Sequence, residues 1–168
     1  MGLDPVILIA LGANLSSPVG PPEATFAAAL EMLTQDGLVR IQAHSRIYRS
    51  PAWPDPREPE FRNAVARLET SHSPASLLAR LHEIEAAFGR VRIDINAPRP
   101  LDMDLLDFEG RVETGSLSLP HPRLHERAFV LLPLREVAPD WHHPVFRQDA
   151  TSLIAALATG LMDGVEPV

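Results

Sequence analysis

The sequence predicts one α+β domain, spanning residues 1–168, with the element order β-α-β-β-α-β and a mainly antiparallel sheet. Apolar segments of strand length alternate with segments whose apolar residues recur at helical spacing, and glycine and proline separate the two kinds. A chain of 168 residues is long enough for one well-formed core and too short to suggest two.

The first half of the chain supplies one strand, one helix and two further strands. The apolar run over 5–11 predicts a buried strand that enters a glycine-containing turn. Residues 21–37 predict a helix, with two prolines at its start and a glycine as its stop. Strands are predicted over 39–48 and 61–69, and the proline-rich stretch over 51–56, with three prolines, marks a long loop between them.

The second half adds a helix and the last strand of the sheet. Ser73 followed by Pro74 predicts an N-cap and first helical position, and Gly89 is expected to end that helix. The remaining predicted elements are an acid-bearing strand after Pro100, a short hairpin over 111–119, and C-terminal helices over 124–137 and 151–161. This order is the ferredoxin-like, or split βαβ, arrangement.

Two aspartates stand one residue apart in an otherwise core-like strand. Side chains alternate in an extended chain, so Leu101 and Met103 share one face while Asp102 and Asp104 share the other. Neighbouring carboxylates repel each other unless water or a cation lies between them, and Mg²⁺ suits such a pair. A solvated acidic face on a half-buried strand is the alternative, and this stretch leaves both interpretations open.

Three arginines, Arg90, Arg92 and Arg99, come directly before the acid pair. One guanidinium group can bind two phosphate oxygens at once, while Mg²⁺ bridges other phosphate oxygens. Arginines beside a DxD pair therefore indicate a polyphosphate site, although any one of them could be a solvated loop charge.

The segment LPHPRLHERAF carries His121 and Arg127, which we interpret as phosphate contacts. Because His121 precedes a proline, it is biased to an extended backbone, so His121 and His125 are not expected to act as paired metal ligands of one helix. The segment has no HExxH motif, and His125 is expected at the surface.

An aromatic and amide group forms a third candidate feature. Trp53, Phe61 and Phe129 could enclose a flat heterocycle, and Asn63 offers both a donor and an acceptor to its polar edge. The alternative is ordinary core packing, which is the stronger interpretation for any single phenylalanine.

Composition excludes several kinds of chemistry. The chain has no cysteine, and all fifteen of its basic residues are arginine, so disulfides, thiolate nucleophiles, P-loops and Schiff-base lysines are ruled out. The formal charge of −7 argues against nucleic-acid or anionic-membrane partners. No run is long and apolar enough for a bilayer span and the N-terminus lacks a signal-peptide pattern, so a cytoplasmic protein is expected.

Six segments in order resemble the 6-hydroxymethyl-7,8-dihydropterin pyrophosphokinase family across about residues 6–140. They are LGANL, YRSPAW, FRNAVARLE, EIEAAFGRVR, PRPLDMDLLDF and LPHPRLHERAFVLLPLREVAP. The resemblance implies a ferredoxin-like fold and transfer of pyrophosphate from ATP to the hydroxymethyl group of the pterin, with release of AMP. It also implies two Mg²⁺ ions, and because relatives of this size are commonly monomeric, a monomer is expected.

The resemblance also implies roles for individual residues. Asp102 and Asp104 would hold the metal ions, and Arg90 and Arg92, on a closing loop, would act on the phosphates together with Arg99. His121 and Arg127 look like further phosphate ligands, and Glu85 matches a helical acid near the nucleotide. The expected pterin-side positions are Gly12, Asn14, Ser50, Pro51, Trp53, Phe61, Asn63 and Phe129, with Phe61 and Phe129 as the stacking pair.

Two other functions compete with this one. A two-metal phosphohydrolase would use the same acid pair to activate water, although the additional His and Asp clusters usual in such sites are missing from the sequence. A non-catalytic ferredoxin-like ligand-binding module would carry the acid pair as a solvated face, but it would not need the loop arginines, His121 or Arg127.

Overall fold

A computed structural model describes residues 5–91 and 97–168, and it confirms the predicted fold class. Three strands, rather than the predicted two, lie between the first and second helices, and C-terminal helices follow the last strand of the predicted order. The strands are β1 (Ile7–Ala13), β2 (Val39–His44), β3 (Tyr48–Ser50), β4 (Phe61–Thr70), β5 (Asp102–Phe108) and β6 (Glu166–Pro167). The α-helices are α1 (Pro22–Thr34), α2 (Pro74–Ala87), α3 (Ala128–Val137) and α4 (Ala150–Ala155).

The strands form one sheet in the order β5-β1-β4-β3-β6, and β2 pairs with β4 as well. β1 runs antiparallel to both β4 and β5, so it lies between the two strands that carry Asn63 and the acid pair. The single strand predicted over 39–48 is wrong in detail. It is interrupted at Ser45, whose backbone N–H and side-chain oxygen both bond to Val65, and β3 resumes at Tyr48.

Both faces of the sheet are buried. Ile7, Ile9 and Leu11 of β1 pack in the core beneath α1 and α2, whereas Leu8 packs in a second core beneath α3 and α4. This alternation is the period-two pattern of a strand covered on both sides.

The acid strand β5 follows the predicted alternation. Met103 and Leu105 enter the core beneath α1 and α2, while Leu106 enters the second core. Asp102 and Asp104 therefore share the face of the sheet that carries α3. That face positions the candidate site.

Local sequence signals set the start of α2, whereas two other predicted elements differ from the structure. Ser73 caps α2 by accepting a hydrogen bond from the Ser76 backbone N–H at 3.2 Å, and Pro74 is its first residue, as predicted. The helix predicted over 124–137 is shorter, since a 3₁₀ turn over 124–126 is followed by Arg127 with extended backbone (φ −115°, ψ 106°). The predicted hairpin forms one bridge, between Glu113 and Leu119.

The C-terminal region departs most from expectation. The helix predicted over 151–161 is α4, which begins at Ala150 behind an Asp149 cap and ends at Ala155. The chain then turns, and β6 adds a short strand beside β3 that the sequence did not predict. Among residues 5–91 and 97–168, no helix is long and apolar enough to cross a membrane.

Candidate active site

One cavity of about 710 Å³ opens on the α3 face of the sheet. Its walls come from β1, β3, β4, β5, the loops after β3 and α2, the segment around His121 and α3. The predicted site residues that line it are Gly12, Ser50, Pro51, Trp53, Phe61, Asn63, Arg90, Arg99, Asp102, Asp104, His121, Arg127 and Phe129.

The cavity has an aromatic half around Phe61, Asn63 and Phe129 and a charged half around Asp102 and Asp104, and Gly12 lies where the two halves meet. In the sheet it is paired with Asn63 of β4 on one side and with Asp102 of β5 on the other. A Cβ atom at Gly12 would lie 3.5 Å from Asn63 Oδ1 and 4.0 Å from Asp102 Cβ. The glycine therefore leaves open space between the amide and the acid pair.

The carboxylates of Asp102 and Asp104 repel each other. Burial and the neighbouring charge of Asp102 raise the pKa of Asp104 to about 6, although Arg127, Arg90 and Arg99 act in the opposite direction. A divalent cation bound between two such carboxylates would stabilise their ionised forms.

Arg90 contacts both Asp102 and a second acid that lies behind it. Its Nη1 donates to Glu85 Oε2 at 2.6 Å, and the same nitrogen contacts Asp102 Oδ1. Burial alone would lower the pKa of Arg90, but Asp102 and Glu85 raise it above the ordinary value. Asp102 is thereby held by an arginine from the loop after α2.

Two further arginines carry charge that the described residues do not neutralise fully. Within 5–91 and 97–168, no carboxylate lies within 4.0 Å of the Arg127 guanidinium, and burial lowers the pKa of Arg127. Arg99 Nε is buried and lacks a hydrogen-bond partner among the same residues, at 3.6 Å from Asp102 Oδ2. Cationic groups without full compensation beside a cavity favour an anionic ligand.

His121 is a neutral donor in this site. Its Nδ1 accepts a hydrogen bond from the Arg123 backbone N–H at 3.2 Å, so the ring proton of the neutral form is on Nε2. Nε2 lies 4.0 Å from Asp104 Oδ2. Burial, together with the charge of Arg127, lowers the pKa of His121 to about 4, so the ring is uncharged at neutral pH.

The aromatic half is joined to the charged half through arginine contacts. The guanidinium carbon of Arg99 lies 5.5 Å from the Phe61 ring centroid, and that of Arg127 lies 5.7 Å from the Phe129 centroid. Asn63 Nδ2 donates to Ser50 Oγ at 2.8 Å, which fixes the amide orientation. A flat ring in this half would have aromatic faces and an oriented amide within reach.

Two predicted site residues among the described ones, Asn14 and Glu85, do not line the cavity. Asn14 supports it, because its Oδ1 accepts from the Arg99 backbone N–H at 2.9 Å and its Nδ2 donates to the Pro59 carbonyl at 3.1 Å. Glu85 is 2% exposed and accepts from the Met103 backbone N–H at 3.3 Å, so it lies beneath the acid strand. Arg92 lies outside the described residues.

Another group of cavity residues was not predicted from the sequence. Arg123 lines it, as do Gly160, Leu161, Asp163 and Val165 of the C-terminal segment. Arg123 could have been found from its place between His121 and Arg127. The C-terminal residues carry no pattern that would have placed them there.

The donors present fit Mg²⁺ better than a metal held by protein alone. Across the part of the chain that is described, no group of three or more His, Asp or Glu side chains is arranged to hold a metal ion. Two carboxylates on one strand face are instead the set that Mg²⁺ uses when water and substrate phosphates complete its shell.

A family model described as 7,8-dihydro-6-hydroxymethylpterin-pyrophosphokinase matches residues 8–139. The 2-amino-4-hydroxy-6-hydroxymethyldihydropteridine pyrophosphokinase of Methylorubrum extorquens is 43% identical over 128 residues, which cover 76% of this chain and 81% of that protein. The protein of the same name from Haemophilus influenzae is 36% identical over 160 residues, covering 95% of this chain and 97% of its relative.

Solved structures share the fold at low sequence identity. The crystal structure of wild-type Plasmodium falciparum HPPK-DHPS with pteroate matches with a TM-score of 0.69 and 14% identity. The match covers 92% of this chain and 42% of that larger chain.

Proposed function

Because this chain belongs to the 7,8-dihydro-6-hydroxymethylpterin-pyrophosphokinase family, it is a pyrophosphokinase of folate biosynthesis, and we propose that the cavity around Asp102 and Asp104 is its active site. The enzyme transfers the β,γ-pyrophosphate of ATP to the hydroxymethyl oxygen of 6-hydroxymethyl-7,8-dihydropterin and releases AMP.

One observation carries this assignment: Gly12 lies between Asn63 and Asp102, so a single cavity joins a ring-binding half to a charged half. We place the pterin in the half formed by Phe61, Asn63 and Phe129. The ATP triphosphate then occupies the half that contains Arg99, His121 and Arg127. The hydroxymethyl group lies where the two halves meet.

Asp102 and Asp104 are the proposed ligands of two Mg²⁺ ions. Their shared face and the raised pKa of Asp104 support this role, because a bound cation removes the repulsion between the two carboxylates. When bound, the metal would screen the charge of the triphosphate and favour the ionised hydroxymethyl oxygen.

The reaction forms one bond to the β-phosphorus and breaks another, and one proton leaves the attacking hydroxyl group. The hydroxymethyl oxygen attacks the β-phosphorus, and the bond from that phosphorus to the α,β-bridging oxygen breaks, so AMP leaves with the bridging oxygen. Asp102, held by Arg90, is the proposed acceptor of the hydroxyl proton.

The remaining side chains position the substrates and stabilise charge. The His121 Nε2–H and the Arg127 guanidinium donate to phosphate oxygens, and the aromatic half keeps water from the attacking oxygen. Arg99 contacts the same phosphates from the acid-strand side. Arg90 and Arg92 are proposed to close over the phosphates when ATP binds.

Two features support the proposed number of domains and the proposed class of ligand. β6 returns the C-terminus to the sheet, which supports one domain over residues 1–168. The charge of −7 supports small-molecule substrates rather than nucleic acid or membrane as ligands. We also infer a monomer that acts in the cytoplasm, where ATP is available.

The test is to mix the protein with ATP, Mg²⁺ and 6-hydroxymethyl-7,8-dihydropterin and to separate the nucleotides by chromatography. AMP that forms only when the pterin is present is the expected result. ADP or free phosphate formed without the pterin would instead support the phosphohydrolase. Mg²⁺-dependent ATP binding without turnover would contradict the proposed reaction, and absence of ATP binding would favour the ligand-binding module.

A further inference from the structure

We propose that the C-terminal segment over 160–165 is part of the substrate site, with Leu161 covering the pterin half of the cavity and Gly164 setting the position of the segment. This inference rests on the proposed function and extends it to a region that the family match, which ends at residue 139, does not reach. Gly160, Leu161, Asp163 and Val165 all line the same cavity as Phe61 and Phe129.

The segment is anchored to the strand that leads into the pterin half. β6 pairs with β3, with Tyr48 opposite Pro167 and Arg49 opposite Glu166. Arg49 and Glu166 form an ion pair, and the Val168 backbone N–H donates to the Ile47 carbonyl at 3.0 Å. β3 ends at Ser50, so the anchor and the cavity wall belong to one continuous stretch of chain.

Gly164 brings the segment into direct contact with Pro51. Its φ of +72° favours glycine, and a Cβ atom built there would lie 2.9 Å from Pro51 Cγ and 3.2 Å from Cδ. No other residue type fits without moving the segment or the proline ring. Because Pro51 lines the cavity, the position of the segment is tied to the shape of the pterin half.

The chain between α4 and β6 is folded back on itself by successive turns. The backbone N–H groups of Leu161, Asp163 and Val165 each donate to the carbonyl three residues earlier, at 3.1 to 3.2 Å. These turns give the segment a defined shape before any substrate binds.

Leu161 presents apolar surface at the cavity. It is 47% exposed, and Trp53, in the loop after β3, lines the cavity and is 68% exposed. Exposed apolar side chains at a cavity rim lose that exposure when a flat ligand fills the space, which contributes to binding. Leu161 therefore affects affinity for the pterin and not for the nucleotide, whose predicted contacts lie in the charged half.

The test compares Leu161→Ser with Leu38→Ser. Leu38 is 46% exposed and does not line the cavity, so it matches Leu161 in residue type and exposure. The dissociation constant of 6-hydroxymethyl-7,8-dihydropterin is measured by its fluorescence with Mg²⁺ and saturating α,β-methylene-ATP, and the constant of the nucleotide is measured separately.

Leu161→Ser is expected to weaken pterin binding about fivefold, the scale of burying half a leucine side chain, and to leave nucleotide affinity and Tm unchanged. Leu38→Ser is expected to leave both constants unchanged. Gly164→Ala is also expected to weaken pterin binding, because the added methyl group would displace the segment from Pro51.

Equal pterin binding by wild type and Leu161→Ser would overturn the inference while leaving the proposed function intact. A parallel loss of pterin and nucleotide binding would also overturn it, since the segment would then be only structural. If wild type itself failed to bind the pterin, the proposed function and the inference would both fail.

Discussion

Arg90 connects Asp102 to Glu85, so the acid strand is tied to the end of α2 by one guanidinium group. The Arg90 side chain is 12% exposed and that of Glu85 is 2% exposed, which makes this a largely buried ionic contact. Arg90 therefore has a structural role in addition to its proposed contact with phosphate.

Arg90→Gln is expected to lower the free energy of unfolding by about 3 kcal/mol, because it removes the cation from a buried ionic contact. It should also weaken ATP binding. Arg57→Gln is the control, since its 89% exposed side chain pairs with Asp55 at the surface and its loss should change stability by less than about 1 kcal/mol. Urea unfolding of both variants measures the difference, and equal losses would contradict the structural role of Arg90.

The raised pKa of Asp104 predicts that the stability of the metal-free protein depends on pH. Its folded pKa of about 6 lies above its ordinary value of 3.8, so the folded state binds the proton more tightly than the unfolded state. Protonated Asp104 therefore contributes to the free energy of unfolding fully below pH 4, and this contribution is lost as pH rises through about 6.

Asp104→Asn should remove this loss, so in EDTA its Tm is expected to exceed that of wild type above pH 6. Added Mg²⁺ should raise the Tm of wild type and have little effect on the variant. Thermal unfolding across pH 4 to 8 measures this, and identical pH curves for the two proteins would contradict the proposed charge on Asp104.

His121 is predicted to act as an uncharged hydrogen-bond donor. With its pKa lowered to about 4, its protonation should contribute no inflection to the pH profile of kcat above about pH 5. His121→Ala is expected to reduce kcat about 100-fold, as for loss of one preorganised donor. His121→Gln should retain more activity because its amide can donate, and a larger loss in the Gln variant than in the Ala variant would contradict this role.

Trp141 is predicted to stabilise the fold through Asp107. Trp141 Nε1 donates to Asp107 Oδ2 at 2.7 Å, Asp107 is 1% exposed, and burial raises its pKa. Trp141→Phe keeps most of the apolar contact and removes this donor, so we expect a loss of about 2 kcal/mol in the free energy of unfolding.

Trp53→Phe is the matched control for that measurement, because Trp53 is mostly exposed and should change stability little. Chemical unfolding of both variants gives the comparison. A loss in Trp141→Phe no greater than in Trp53→Phe would show that the Asp107 contact does not matter for stability.

The sequence predicted the elements whose signals are local. The cap at Ser73 and the face alternation around Met103 depend on near neighbours along the chain, so the sequence alone indicates both. The break at Ser45 has no such local signal, because the bonds that cause it come from Val65 on another strand.

Short motifs predicted part of the candidate site. Asp102, Asp104, His121 and Arg127 fall in segments whose residue types indicate phosphate and metal binding, and all four line the cavity. The segment that carries Leu161 is anchored by a two-residue strand that pairs with β3, and two residues carry too little pattern to predict a strand.

The most direct test of the proposed metal-dependent active site is the rate of AMP formation by wild type and Asp104→Asn, with ATP, Mg²⁺ and the pterin at pH 8. If Asp104 holds Mg²⁺, the variant should lose about 1,000-fold in rate, equivalent to about 4 kcal/mol of transition-state stabilisation, with Tm maintained. A rate within tenfold of wild type in a folded Asp104→Asn protein would contradict the assignment of Asp102 and Asp104 as the metal-binding centre.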